Sequence, residues 1–577
     1  MTALRQKSTA DAPRTELDEA LEALDKAKHD WARVPAADRL LILDQVKDAL
    51  LPVTEEWAAT AARAKQIPAD SPLVGEEWLS GPYALMAGCN GLMETLSQLE
   101  DKAFLSHLPS RKLPNGQLAL RVMPHSIWDR LLLSGVHADV WMQPGVSNAN
   151  LAEHAASLYD TPPRERRGKV ALILGAGNIA SIAPLDVFQK LFLENQVCIL
   201  KMNPVNDYLT PFLEAALAPL IERNALRIVK GDGAAGAYLT DHPLVEEMHI
   251  TGSQATHDAI VWGTGEEGVR NRAAGTPRNS KRITSELGAV CPTIVVPGPW
   301  SKADIRFQAE HLATQKLHNS GFNCIACQVL ITQRGWEHGP ALIEATEKIM
   351  ARSTRPAYYP GADDRLADFA AQSENPTRIE RGDAPPLIVT DTEDTDYFRQ
   401  TEVFAPAMSR TELHAKDAED FLRRAIIFAN ERLHGTLGAN IIIHPKTIKA
   451  IGRQRLTEII AELRYGTIAI NAWTGLGFLL APCPWGAFPG HTLTDVQSGI
   501  GTVHNSFMLE KTERVVVEAP FRPFPRSLLG GKPTLLPRPP WFITNRRQDR
   551  LGELLVDFQH SPGWRKLPRI FLNALRG

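Results

Sequence analysis

The stretch KVALILGAGNIASIAPLDVFQKLFLENQVCILKMNP (169–204) decides the architecture. An unbroken apolar run, VALIL (170–174), meets a glycine turn; an amphipathic segment follows, and a second run, VCILK (197–201), closes the unit. Runs of this length bounded by glycine or proline read as strands, and a helical pattern between two of them makes the crossover of a parallel sheet. RIVKG (227–231) and MHITG (248–252) continue the alternation. A second alternating block runs through PTIVVPG (292–298), QVLIT (328–332), PLIVT (386–390), NIIIH (440–444) and TIAIN (467–471). Two α/β domains are the economical reading, and 577 residues are ample for them.

The flanks differ in texture. From Thr15 to about Leu50 the pattern is helical: Thr15 is a candidate N-cap with Asp18 three residues on, and Leu17, Leu21 and Leu24 recur at helical spacing. A second helix is expected over 38–50 after Pro35, and the region stays helix-rich to about Leu108. Prolines at 520, 523, 525, 533, 537, 539 and 540 predict an extended strap. After it, Leu551, Leu554, Leu555 and Phe558 form a helical stripe, read as a helix docked on its own or a neighbouring subunit, with a membrane-surface helix as the alternative.

Composition narrows the function classes. The 63 basic and 66 acidic residues leave a net charge of −3 with no basic stripe, so nucleic acid is not an implied partner. Six scattered cysteines make no disulfide framework and suit a reducing compartment. The opening MTALRQKSTADAPRTE carries no apolar stretch for a signal peptide, and no run of 18 apolar residues occurs, so a soluble cytoplasmic protein is expected. No metal is expected: the 17 histidines show no ligand spacing, and Cys324-x-x-Cys327 lacks a second pair.

Gly175-Ala176-Gly177-Asn178-Ile179-Ala180 matches the glycine turn of a dinucleotide fold. That reading needs an acidic residue at the end of the next strand, where Lys201-Met202-Asn203-Pro204 stands instead. The ordinary Rossmann fingerprint is half present.

Four separated segments say more: Asn178 in GAGNIAS, Lys201 in ILKMNP, Glu286 in SELGAVCP and Cys324 in HNSGFNCIAC, with ITGS (250–253) between the second and third. In this order the series resembles the aldehyde dehydrogenase superfamily, from HDWARVPAADRLLIL near the N-terminus to EKTERVV (510–516). TEVFAP around Glu402, Asn430, His434-Gly435-Thr436-Leu437 and Asn471 add to the match. The resemblance implies an NAD(P)-dependent oxidation of an aldehyde through a thioester. Cys324 would be the nucleophile, the Asn178 amide and the Cys324 backbone N–H the oxyanion donors, and Glu286 the base that activates water. Lys201 and Glu402 would hold a ribose, Gly252 and Ser253 would let a helix N-terminus meet the pyrophosphate, and Phe404 would pack near the nicotinamide. Gly231 and Leu287 are carried as further cofactor contacts. Each has a structural alternative: a core cysteine, a surface carboxylate, a turn-forming asparagine, a solvated lysine.

The implied fold is a Rossmann-like cofactor domain plus an α/β catalytic domain. Its parts are a helical N-terminal region (1–145), the cofactor core (168–288), the catalytic domain (289–485), an oligomerisation hairpin (146–167 with 498–516) and a C-terminal extension (520–577). A homodimer or homotetramer is expected. The pattern departs from the family at two places. Phe322 replaces the usual glutamine, which suggests an apolar aldehyde, and Phe188, Trp473 and Phe478 are further candidates for a substrate funnel. Pro204 stands where NAD-preferring relatives carry a carboxylate, so NADP stays open beside the more prevalent NAD. Cys327 reads as a packing residue, with a reversible disulfide to Cys324 as the alternative. Competing functions are a CoA-acylating enzyme on the same fold, a catalytically silent interaction protein, and an ordinary Rossmann reductase using the 175–180 turn.

Overall fold

Apolar runs that alternate with helices must be covered on both faces, and they are. The computed structural model describes residues 14–523, 526–529 and 538–577. Val170–Leu174 and Val197–Lys201 are buried almost throughout. They lie side by side in a six-stranded sheet whose order is Gly499–Ile500, Arg282–Leu287, Glu247–Gly252, Val170–Leu174, Val197–Lys201, Leu226–Val229. All its pairings are parallel except the edge contact of Gly499–Ile500. The order reverses beside Val170–Leu174, and a sheet that reverses leaves a crevice beyond the carboxyl ends of its strands.

The second block forms an eleven-stranded sheet. Its parallel centre holds Thr512–Glu518, Thr467–Ile470, Gly438–Ile442, Pro292–Val295, Val329–Gln333, Ala407–Leu413 and Ala384–Asp391. Antiparallel strands extend it at both ends.

Some expectations need correcting. The strands at the Thr512–Glu518 edge are Leu118–Met123 and His137–Met142; the segment 146–167 holds short helical turns and meets 498–516 through a single antiparallel bridge, Ala155 with Leu509. Pro162 and Pro163 lack the N–H a ladder needs, whereas LALRVM (118–123) has no such interruption. The segment 1–145 is therefore not wholly helical. Arg282–Leu287, a further strand of the first sheet, was hidden because Thr284, Ser285 and Glu286 make it look polar. Thr284 is nonetheless buried, its hydroxyl 2.8 Å from His249 Nδ1. Thr15 is not an N-cap, since it lies inside helix Arg14–Arg33.

Part of the proline strap, including Pro525, Pro533 and Pro537, lies outside the described residues. Beyond it, helix Gln548–His560 docks on its own chain. The crossing is close: a Cβ on Gly552 would stand 2.4 Å from Trp78 Cβ, and one on Gly75 would stand 2.2 Å from the Gln548 carbonyl carbon. Phe558 meets Trp128 edge-on with ring centroids 5.4 Å apart, and helix Leu567–Ala574 covers the pair. Phe558→Ala should therefore cost about 3–5 kcal/mol of local stability. Hydrogen exchange is expected to rise across 548–574 and stay unchanged in strand Val170–Leu174; uniform protection in both would refute the docking.

Candidate active site

A cleft of about 970 Å³ opens beyond the carboxyl ends of the first sheet. Strand ends supply Asn178, Lys201, Gly252, Ser253, Glu286 and Leu287; the facing domain supplies Cys324, Glu402 and Phe404. These nine sequence-predicted residues thus meet around one space. Gly231 does not line it, although the adjoining Asp232 and Gly233 do. A Cβ on Gly231 would come within 2.5 Å of Ala235 Cβ, so its smallness serves packing. Ser253 caps helix Gln254–Trp262, its hydroxyl accepting from Thr256 N–H at 3.2 Å.

The reactive pair sits at the inner end. Cys324 Sγ lies 3.4 Å from Glu286 Oε1. Burial holds the Cys324 thiol well above its ordinary value, and the neighbouring Glu286 charge adds to this. Burial likewise pushes the Glu286 carboxyl up to about 7, with the Trp485 indole pulling the other way. A carboxyl that titrates near neutrality is within reach of the thiol's proton. Asn178 donates through Nδ2 to Phe322 O at 2.9 Å, so its amide is anchored on the loop that carries the cysteine, and its second N–H remains to be offered.

That loop is strained. Asn319, Ser320 and Gly321 have φ of 52°, 57° and 87°, three left-handed residues in succession. A buried charge cluster holds them, and nothing in the sequence pattern had marked it. Glu76 accepts the Asn319 backbone N–H at 3.0 Å and pairs with Arg355. Lys65 pairs with Glu77 at 2.9 Å, and donates to Asn178 O at 2.9 Å and to Asn319 Oδ1 at 3.3 Å. Tyr358 completes the ring by donating to Asn319 Oδ1 at 2.9 Å. All four charged side chains are at most 3% exposed. They come from the N-terminal helices and from a loop near 355, so only folding assembles them; buried charges are the signal that could have found them, and burial is not visible in a sequence.

Glu402 is half-buried, and the desolvation of its carboxyl pushes it up to about 8 against the pull of Lys316 and Arg365. A Cβ on Gly288 would stand 1.7 Å from Glu402 Oε2, so the glycine of the SELG segment is what lets this carboxylate approach. Phe322 and Phe188 do not line the cavity at Cys324. Phe322 packs among Tyr358, Tyr359 and Phe404, with centroids 5.1–5.7 Å away, and Phe188 packs on Phe192. Trp473 and Phe478 do line it. Cys327 is buried in the apolar cluster around Val295, Ala309 and Leu330, as a packing residue would be.

Comparison with known proteins gives this geometry a context. Residues 194–362 match the model of the aldehyde dehydrogenase family, a span that includes Lys201, Glu286 and Cys324. A curated aldehyde dehydrogenase of Enchytraeus buchholzi is 32% identical over 135 residues, which is 22% of this chain and 24% of that one. The chain thus aligns with about a quarter of that relative's length. Among solved structures, an NAD-dependent aldehyde dehydrogenase from Sinorhizobium meliloti superimposes with a TM-score of 0.56 at 18% identity, covering 88% of this chain and 87% of the other. An aldehyde dehydrogenase of Mycobacterium tuberculosis complexed with NAD+ gives 0.57 at 17% identity, over 89% and 91%. At such identities the likeness establishes the fold.

The charge cluster yields a direct test. Arg355→Met leaves Glu76 buried without its cation and should cost about 3–5 kcal/mol. Denaturant titration checks this, and a loss below about 1 kcal/mol would mean that the cluster does not hold the loop.

Proposed function

We propose that this chain, a member of the aldehyde dehydrogenase superfamily, oxidises an apolar aliphatic or aromatic aldehyde to the carboxylic acid, with NAD or NADP as electron acceptor. The observation that carries the reading is the 3.4 Å approach of Cys324 Sγ to Glu286 Oε1 at the inner end of a cleft large enough for a dinucleotide.

The cleft's residues fit a nicotinamide dinucleotide. Glu402 Oε1 is buried and has no hydrogen-bond partner among the described residues, so a ribose hydroxyl would satisfy it. Lys201 stands across the same cleft. The N-terminus of helix Gln254–Trp262, with Gly252 before it, would receive the pyrophosphate. Leu287 and Phe404 give the nicotinamide an apolar rest. When bound, the nicotinamide supplies the acceptor for the two electrons that leave with hydrogen from the aldehyde carbon.

The chain's own groups do the remainder. Glu286 takes the Cys324 proton, and the sulfur bonds to the aldehyde carbon as the carbonyl electron pair moves onto oxygen. That oxyanion meets the Asn178 amide and the Cys324 backbone N–H, donors fixed in advance by the charge cluster. After oxidation a thioester remains on Cys324. Glu286, having released its proton, takes one from water; the water oxygen attacks the acyl carbon, and the carbon–sulfur bond breaks to free the acid. The presence of Glu286 favours water over coenzyme A as the acyl acceptor. Trp473 and Phe478 at the cavity support an apolar substrate. Assembly as a homodimer or homotetramer and a cytoplasmic location belong to the same reading. No helix among the described residues is long and apolar enough to cross a membrane.

An aldehyde panel with NAD, NADP and added coenzyme A, followed at the reduced-nicotinamide absorbance, tests the activity. Cys324→Ala should abolish it, and coenzyme A should not accelerate it. Asn178→Ala should lower kcat by about 10²–10³; a mutant as active as the parent removes Asn178 from the mechanism. The pH dependence has a definite sign. Glu286 acts as a carboxylate and is protonated below about 7, so kcat should rise through about pH 7 and level off above it. In Glu286→Gln that inflection should vanish along with thioester hydrolysis.

A further inference from the structure

Behind the cavity at Cys324 lies a second one. The first, about 50 Å³, is closed on its far side by Leu79, Leu479 and Trp541. The same three residues border a larger chamber of about 270 Å³. Its walls are mainly apolar, with Met123 and Leu132 facing Leu551, Leu555 and Phe558 of helix Gln548–His560, while Asn90, Glu94, His125 and Asp129 add a polar side. Its rim reaches the exposed Pro562. Interiors rarely leave voids larger than a water molecule, so a chamber of this size next to a reactive cysteine is a binding space.

Trp541 belongs to the C-terminal extension, and it is fixed there. Arg538 pairs with Glu310 at 2.6 Å, Ile543 N–H donates to Thr314 Oγ1 at 3.2 Å, and Phe542 stacks on His311 with centroids 5.3 Å apart. All three anchors lie on helix Lys302–Leu317, which leads directly into the Cys324 loop. Trp541 is 8% exposed, and its indole N–H has no hydrogen-bond partner among the described residues. A large ring is thus held rigidly from the helix that carries the nucleophile, with its polar edge uncommitted.

We infer that the C-terminal extension completes the substrate site: the second chamber takes the apolar tail of an extended aldehyde whose carbonyl lies at Cys324, and Trp541 is the partition that sets how long a tail is accepted. The inference rests on the aldehyde-oxidising reading above and names its substrate class. Trp541 acts here as a specificity-determining residue and has no part in the bond changes.

The test uses the full chain, straight aldehydes from propanal to dodecanal, and a second readout without turnover: binding of the matching carboxylates by isothermal titration. In the parent, kcat/KM should climb about fourfold per methylene until the tail meets the indole, then stop climbing. Trp541→Ala should carry the break about four methylenes further, so that longer aldehydes gain on the order of 10². The carboxylate series should shift with it. Leu555→Trp added to Trp541→Ala refills the chamber and should return the break to its parental length. Should Trp541→Ala not fold, Trp541→Phe carries the same test with a smaller shift. A break at the parental length in both readouts, in a folded variant, overturns the inference while leaving aldehyde oxidation intact. If carboxylate binding shifts but no aldehyde reduces either nucleotide, the chamber stands and the oxidation reading falls.

Discussion

Everything at this site depends on holding a half-buried thiol beside a carboxyl that is kept out of water. In water a thiol ionises above neutrality and a carboxyl well below it, so the second would be a poor base for the first. Burial moves both upward; the Glu286 charge lifts the thiol further, while the hydrogen bonds from Trp485 and Cys324 pull the carboxyl back to about 7. What results is a thiol that stays protonated in the resting site beside a carboxyl that exchanges its proton near neutral pH. The cost is that the carboxyl must be held apart from solvent by surroundings that do not relax.

Those surroundings are polar at their most rigid point. Glu286 stands near the end of a strand paired on both sides, with Thr251 and Gly499, so its backbone is fixed by the ladder. Cys324, by contrast, follows a loop with three left-handed residues, and such backbone persists only when its neighbours over-determine it. The cluster of Lys65, Glu76, Glu77 and Arg355 does this by hydrogen bonds to the loop's backbone and to the Asn178 carbonyl. A buried ion cluster is a weak source of stability but a strong source of specificity in geometry, because each of its members has a single satisfactory arrangement. The N-terminal helices, remote from Cys324 along the chain, therefore have a direct bearing on where Cys324 and the Asn178 amide stand.

The C-terminal extension approaches the site from the opposite side. Its helix crosses an N-terminal helix at paired glycines, and its turn at 538–545 is tied to the helix that precedes the nucleophile. With Lys201 and Glu286 at strand ends, Cys324 and Glu402 facing them, and Trp541 from the last tenth of the chain, the cavities gather segments from nearly the whole sequence.

What could be read from the sequence alone was whatever depends on local pattern or on residue order. Unbroken apolar runs announced most of the parallel strands, because a strand buried on both faces has no polar side to show. The order of Asn178, Lys201, Glu286 and Cys324 carried the resemblance to the aldehyde dehydrogenase superfamily, and folding brings the four to one cleft. Strand Arg282–Leu287 stayed hidden since its polar residues find partners only across the sheet, and the antiparallel pair near 118–142 stayed hidden since strand pairing is a property of two segments and not of one. Likewise Phe322 looked like a substrate residue by position, yet side-chain direction, settled by packing, turned it into the core. The buried charge cluster and the Trp541 wall exist only in the folded molecule: each is a meeting of residues far apart along the chain, and desolvation, which gives such meetings their chemical force, arises only when the tertiary structure has closed around them.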